Sequence, residues 1–315
     1  SDFLTQTDVI PMENFWVEAS AEGIIGRTEN DKPNRLGGEH AAWNMLRTNT
    51  HQTIFLVTSE GRCASIHSLS IPVVKNGDGG LPLHKIAPLH ENEVLQSIFA
   101  VPMDRAELPD RFLVTVSRQG MIKRSSVADL PGASAASFTL VKINEGDELF
   151  QVMLTDGNQD LLITTAMGMS IRFNENEVRP MGLVAAGVNG IKLKEGDIVI
   201  GASVLSGKEE VALVTRMGLA KRVAAADFPL QGRYGQGVIS WKLTGDDLLA
   251  VQLAGKLSDK GVCHFKKATS KVFTITNAVS RKRAANGGTL FTLKPGDEVI
   301  GFTAVDDFAD YWEKK

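Results

Sequence analysis

This chain has little cysteine, few tyrosines and no long apolar run. Its two cysteines, Cys63 and Cys263, stand alone, without metal or redox spacing. A disulfide scaffold is thereby excluded, and a reducing, cytoplasmic setting is expected. No stretch approaches the roughly 20 apolar residues of a membrane helix, so no membrane partner is expected. The start, Ser1-Asp2-Phe3-Leu4, is acidic and lacks the basic segment of a signal peptide. It also lacks an initiating Met, which points to a piece of a longer protein. The histidines His40, His51, His67, His84, His90 and His264 show no metal-ligand spacing. Gly77-Asp78-Gly79-Gly80 reads as a loop and not as a phosphate cradle, because no helix follows it. No grouping of nucleophile, base and oxyanion donors can be assembled. Catalytic residues, metals and cofactors are therefore not expected within this chain.

What the chain has is repetition. Hydrophobic residues make up 43% of its 315 positions, enough for a sizeable core, and 30 glycines suit a turn-rich all-β protein. Val211-Ala212-Leu213-Val214-Thr215-Arg216-Met217-Gly218-Leu219-Ala220-Lys221-Arg222 restates the stretch from Leu161 to Arg172, and Phe112 to Arg124 says it again. In each copy an apolar strand enters a Gly turn, and a basic residue follows four positions after the Gly. The turn glycines are Gly23, Gly61, Gly120, Gly168 and Gly218, spaced 38, 59, 48 and 50 residues apart. In a sixth copy, Val262 to Phe273, Ser270 is expected to stand where Gly belongs, so that copy should turn differently.

A second anchor keeps the same period. Gly146-Asp147, Gly196-Asp197, Gly245-Asp246 and Gly296-Asp297 each follow a strand of the Ile-Lys-Leu type and precede another apolar strand. The preceding strands are Val141-Lys142-Ile143, Ile191-Lys192-Leu193, Trp241-Lys242-Leu243 and Phe291-Thr292-Leu293. Gly-Asp is turn chemistry, and Asp147 and Asp197 are expected to be satisfied locally. Four strands in about 50 residues is the size of a propeller blade. A β-helix would need a shorter coil, and helical solenoids need a 3.6-residue period that is missing. The expected fold is all-β, with six four-stranded blades at 13–50, 51–104, 109–156, 159–206, 209–254 and 257–305. A lead-in of residues 1–12 precedes them. A tail, 306–315, follows with a short helix, and Pro102 to Pro109 links two blades.

Net charge is −3, but it is unevenly spread. Residues 1–110 hold 8 Lys and Arg against 15 Asp and Glu, whereas residues 111–305 hold 24 against 18. The asymmetry fits either ordinary solvated faces or a polyanion-binding surface on the later repeats.

Three stretches give the chain a family likeness. Glu177 to Gly182 followed by Ala186 to Leu193 is one. Lys221 to Pro229 followed by Gly235 to Ser240 is the second. The third is Asn49-Thr50-His51 running into Ile54-Phe55-Leu56 and Ser59-Glu60-Gly61-Arg62. Together they resemble the C-terminal domain of bacterial type IIA topoisomerase A subunits, from gyrase and topoisomerase IV. The resemblance covers residues 13 to 305. It implies a six-bladed β-pinwheel, a propeller-like disc that exchanges strands between neighbours and whose basic rim binds, bends and wraps duplex DNA. It also implies two protein partners, the N-terminal part of the same subunit plus an ATPase subunit, with the catalytic groups lying elsewhere. Gyrase wraps DNA through a signature Gln-Arg-Arg-Gly-Gly-Lys-Gly in blade one. Here that place holds Asn34-Arg35-Leu36-Gly37-Gly38-Glu39-His40. Two positive charges are lost and Glu39 is gained, which removes phosphate contacts and resembles topoisomerase IV more than gyrase.

Candidate DNA contacts are Arg27, Lys123, Arg124, Arg172, Lys221 and Arg222 near the turn glycines. Arg179, Arg233, Arg281, Lys282 and Arg283 in the loops join them, with Arg35 in the altered box. Ser65 in copy two and Thr274 in copy six hold the place of the basic residue, so blade two should be weak on the rim. Each cation could instead protect a sheet edge, and Tyr234 beside Arg233 could stack on a sugar or base or simply pack. A protein-interaction propeller with little DNA affinity is the competing reading.

Overall fold

The computed structural model describes residues 6–75 and 79–313; Gly77 and Asp78 of the glycine loop lie outside the described residues. Six small antiparallel sheets surround a central channel of about 820 Å³. Unit four shows the plan. Asp160–Thr165 pairs with Met169–Asn174 across the Gly168 turn, and Val199–Leu205 returns to pair with Asp160–Thr165 on the channel side. The remaining strand, Val188–Asn189, leaves its own unit and pairs with Met121 and Ile122 of unit three. Val238–Ile239 does the same to unit four, Gly288–Thr289 to unit five, Phe138–Thr139 to unit two and Leu81–Pro82 to unit one. From channel to rim, each complete sheet therefore runs fourth strand, first, second, then a strand lent by the next unit.

The first strand of each blade is apolar at successive positions because both of its faces are covered. Leu161, Leu162 and Ile163 are all fully buried. Successive side chains point to opposite faces. Thus Leu161 and Ile163 enter a core shared with blade three, and Leu162 one shared with blade five. The cores lie between blades, not within them. Five such clusters join blades one to six in order. Among the described residues, no comparable cluster joins blade six back to blade one.

That last seam is polar. The Gly38 N–H donates to the Ser270 carbonyl at 2.8 Å, which puts the altered box where a lent strand would lie on blade six. The His264 ring stacks on Trp43 at 4.0 Å and hydrogen-bonds the hydroxyls of Ser270 and Thr303, and Thr303 donates to the Ala42 carbonyl. Burial pushes the His264 pKa down to about 4. The tail adds a short strand, Asp306–Asp307, parallel to Leu46 and Arg47, and the expected helix spans Phe308–Glu313. Trp312 Nε1 donates to the Ala100 carbonyl, so the tail crosses from blade six to blade two.

Copy six turns differently, as expected, but its register is not the one read from sequence. Cys263 pairs with Lys271, so Ala268 stands at the turn position fifty residues after Gly218, not Ser270. Lys271 consequently matches Lys221, and Val272, not Thr274, matches Arg222. The recurring Asp does more than satisfy its own turn. Asp147, Asp197 and Asp297 accept the backbone N–H groups of Gln119, Met167 and Lys267, and in unit five Asp247, one residue past the Asp246 of the anchor, accepts that of Met217, each bracing the hairpin of its own blade.

The lent strands require glycine where chains cross. Gly237 has φ +80°, and a Cβ there would strike the Ser170 carbonyl of the preceding blade. Gly237→Ala should lower stability by about 3 kcal/mol, from left-handed backbone strain plus the clash. Gly182→Ala, where nothing lies within 4 Å, should change it by less than about 0.5 kcal/mol. Urea unfolding of both variants measures the difference.

Candidate nucleic-acid interface

Lending the outer strand changes where the sequence-expected cations sit. Lys123 and Lys221 are fully buried and Arg124 is 5% exposed. They were expected on the rim; they lie inside, because the next unit covers the strand that carries them. Lys123 Nζ donates to the carbonyls of Leu140, Gly182 and Leu183. Lys221 Nζ donates to those of Arg283 and Ala285 and stands 4.9 Å from the Trp241 ring centre. All five carbonyls belong to loops or the ends of lent strands, so each ammonium ties exchanged segments to the blade beneath.

The arginines four positions after the glycines act alike. Arg27 donates to the Ile71 carbonyl, Arg124 to Val178, Arg172 to Ala225 and Phe228, and Arg222 to Thr276 and Ala278. Each acceptor lies in the unit that follows. Arg124 also meets the buried Glu175 carboxylate at 3.3 Å, and Arg172 meets Asp160 at 2.8 Å. These guanidinium groups are interblade latches. Unit two has Ser65 at this place, and its hydroxyl reaches only the Gly132 carbonyl. Arg105, from the linker between Pro102 and Pro109, reaches over instead and donates to Leu130 and Pro131. Leu130 is the counterpart of Val178 and Phe228, each following a 3-10 turn.

The loop cations divide. Arg233 is held on the carbonyls of Glu177 and Asn189, and Arg283 on those of Asp227 and Ile239. Arg179, Arg281 and Lys282 are exposed; Lys282 is 4.0 Å from Asp227 with its side chain 89% accessible. In the altered box, Arg35, Glu39 and His40 are exposed, Leu36 is half-buried, and Asn34 is tied to Glu18 at 2.7 Å. Gly37 and Gly38 keep the box against blade six.

Three rim cations escaped the sequence reading. Lys142, Lys192 and Lys242 are exposed, fifty residues apart, each three residues past a lent strand. They therefore follow the point where the lent chain passes the hairpin glycine of sheets two, three and four. The Lys142 N–H donates to the Ala185 carbonyl and that of Lys192 to Gly235, which fixes both beside the next loop. Their signal was the recurring Ile-Lys-Leu anchor itself. Among the described residues, no three His, Cys, Asp or Glu side chains are grouped to hold a metal ion.

The two buried amines carry a pH signature. Burial lowers the pKa of Lys123 and of Lys221 from 10.5 to about 8. Between those values the unfolded chain keeps the proton and the folded one has released it, so stability rises with pH across that interval. Lys123→Met should remove about 3 kcal/mol of this rise, read as the difference between wild-type and variant urea midpoints from pH 7.5 to 10.5.

A family model described as DNA gyrase C-terminal domain, beta-propeller, matches residues 111–156, 159–206 and 209–252, which are units three to five. The DNA gyrase A protein of Aminobacterium colombiense is 31% identical over 314 residues, 95% of this chain and 38% of that protein. Its counterpart in Lawsonia intracellularis is 30% identical over 96% of this chain, again 38% of that protein. The chain thus spans well under half the length of these relatives. A solved C-terminal domain of DNA topoisomerase IV matches with a TM-score of 0.79 and 22% identity, covering 93% of each chain. A gyrase A C-terminal domain matches at 0.74 and 19%, covering 93% of this chain and all of the other. The repeat and these similarities agree: the chain belongs to the family of DNA gyrase C-terminal domains, and shares its fold with that of topoisomerase IV.

Proposed function

We propose that this chain binds and bends duplex DNA along its outer edge, as the C-terminal domain of a cytoplasmic type IIA topoisomerase A subunit. Its partners in that setting are an ATPase subunit plus the N-terminal part of its own polypeptide, which carry the chemistry. The observation behind this reading is the ladder of Lys142, Lys192 and Lys242 at one position in three successive units, with Arg179 exposed in unit four and Arg281 and Lys282 exposed in unit six. Spaced cations on a convex edge suit phosphates and no particular base sequence. Bending a duplex costs energy that contacts along the curve offset.

The path is strongest over units three to six. Blades one and two are acidic, and the box adds exposed Glu39 where a cation would be needed. DNA is therefore bent over the later blades without being closed tightly through blade one. Among the described residues, no helix is long and apolar enough to cross a membrane.

Replacing Lys142, Lys192 and Lys242 together with Ala should weaken duplex binding alike for unrelated sequences. It should also reduce the slope of log affinity against log salt by about 3. An unchanged slope would remove the ladder from the DNA path. Leu36→Arg with Glu39→Lys should increase the DNA bend, measured by energy transfer between duplex ends. An unchanged bend would separate the box from the path.

A further inference from the structure

We infer that Tyr234 is a stacking wedge, held out by the loop of unit five to press its ring against a sugar or base edge of bent duplex DNA. This rests on the DNA reading above and adds to it a contact of a different kind. Tyr234 is the one non-glycine residue with positive φ among the described residues, at +67°. A bulky residue in that region is an outlier, with a cost that only a compensating role explains. Loop length does not impose it. The sister loops of units four and six have the same spacing, and Val184 and Ala284 at the matching positions are not left-handed.

The backbone around Tyr234 is fastened on both sides. Its own N–H donates to the Gly190 carbonyl at 3.0 Å, and the Gly235 carbonyl accepts from Lys192 at 2.9 Å. Arg233, just before it, is pinned to unit four by Glu177 and Asn189. The side chain itself is 46% exposed, and it takes part in no hydrogen bond or ring contact with another described residue. A rigid base thus presents a free aromatic ring. Exposed Lys192 is fastened to the neighbouring Gly235, Arg233 is the residue before Tyr234, and the Glu177 carboxylate lies beside Gly232. An apolar or aromatic side chain among cations is what a bending protein presses between or against base steps, where the cations hold the flanking phosphates.

The test measures duplex affinity and end-to-end bend for this chain, Tyr234→Gly and Tyr234→Phe. Glycine accepts the left-handed backbone, so Tyr234→Gly should keep or raise the thermal midpoint. It should bind duplex about tenfold more weakly and bend it less, with the wild-type salt slope, since no phosphate contact is lost. Tyr234→Phe should behave as wild type. Wild-type affinity and bend in Tyr234→Gly, with duplex still bound by all three proteins, would overturn the wedge and leave the DNA reading standing. Equal loss in Tyr234→Phe would overturn stacking in favour of the hydroxyl. No duplex binding by wild type at low salt would overturn both.

Discussion

The constraint on which this disc depends is the open edge of a three-stranded sheet. Each unit makes three strands that pair with one another and leaves the outer edge of the second strand bare. An unpaired edge exposes backbone donors and acceptors. Here the next unit covers it with a two-residue strand and then runs past the hairpin glycine. The arrangement is cumulative, because units two to five both lend and receive, while unit one only receives a strand and unit six only lends one. It explains why the cores lie between blades and why turn positions double as crossing points. It also explains why cations on the second strand reach carbonyls of the following unit. Buried Lys and Arg on such positions would be costly without partners; the lent segment brings the carbonyls that meet them.

The periodicity of the fold was legible, and the exchange was not readable from the residues alone. Apolar runs, turn glycines and the Gly-Asp anchor gave the strand content, the repeat and the six units. A strand of two residues has no period of its own, so Val188–Asn189 carries no mark of which unit it pairs with; only the family resemblance implied exchange. The same gap misplaced Lys123, Lys221 and the latch arginines. A strand's alternation tells which face a side chain occupies, but not whether that edge is later covered. Copy six slipped by two positions because its turn lacks Gly, although Asp297, fifty residues after Asp247, marked the true register. Arg105 could not be assigned at all, since nothing local links a linker arginine to a serine forty residues earlier in another blade.

The disc is also unequal around its circumference. Five seams are closed by apolar cores, and the sixth by His264, Trp43, Thr303 and the glycines of the box. Fully burying a large apolar side chain contributes roughly 1.5–3 kcal/mol, so a polar seam is the weaker closure, and the tail from Asp306 onward reinforces it. The charge follows the same division. Acidic blade one borders the polar seam, acidic blade two follows it, and the exposed lysine ladder begins where unit three lends its strand. Mechanical closure and the proposed DNA contact therefore fall to different parts of one repeated plan.

The central claim is that strand exchange hides one set of cations and exposes another. Mass-spectrometric footprinting with an amine-acylating reagent, with and without duplex DNA, tests it most directly. The account predicts that Lys142, Lys192, Lys242 and Lys282 react in the free protein and are shielded by duplex, while Lys123 and Lys221 stay unmodified in both states. Ready acylation of Lys123 and Lys221 in the folded protein, or a ladder as reactive with DNA as without it, would contradict it.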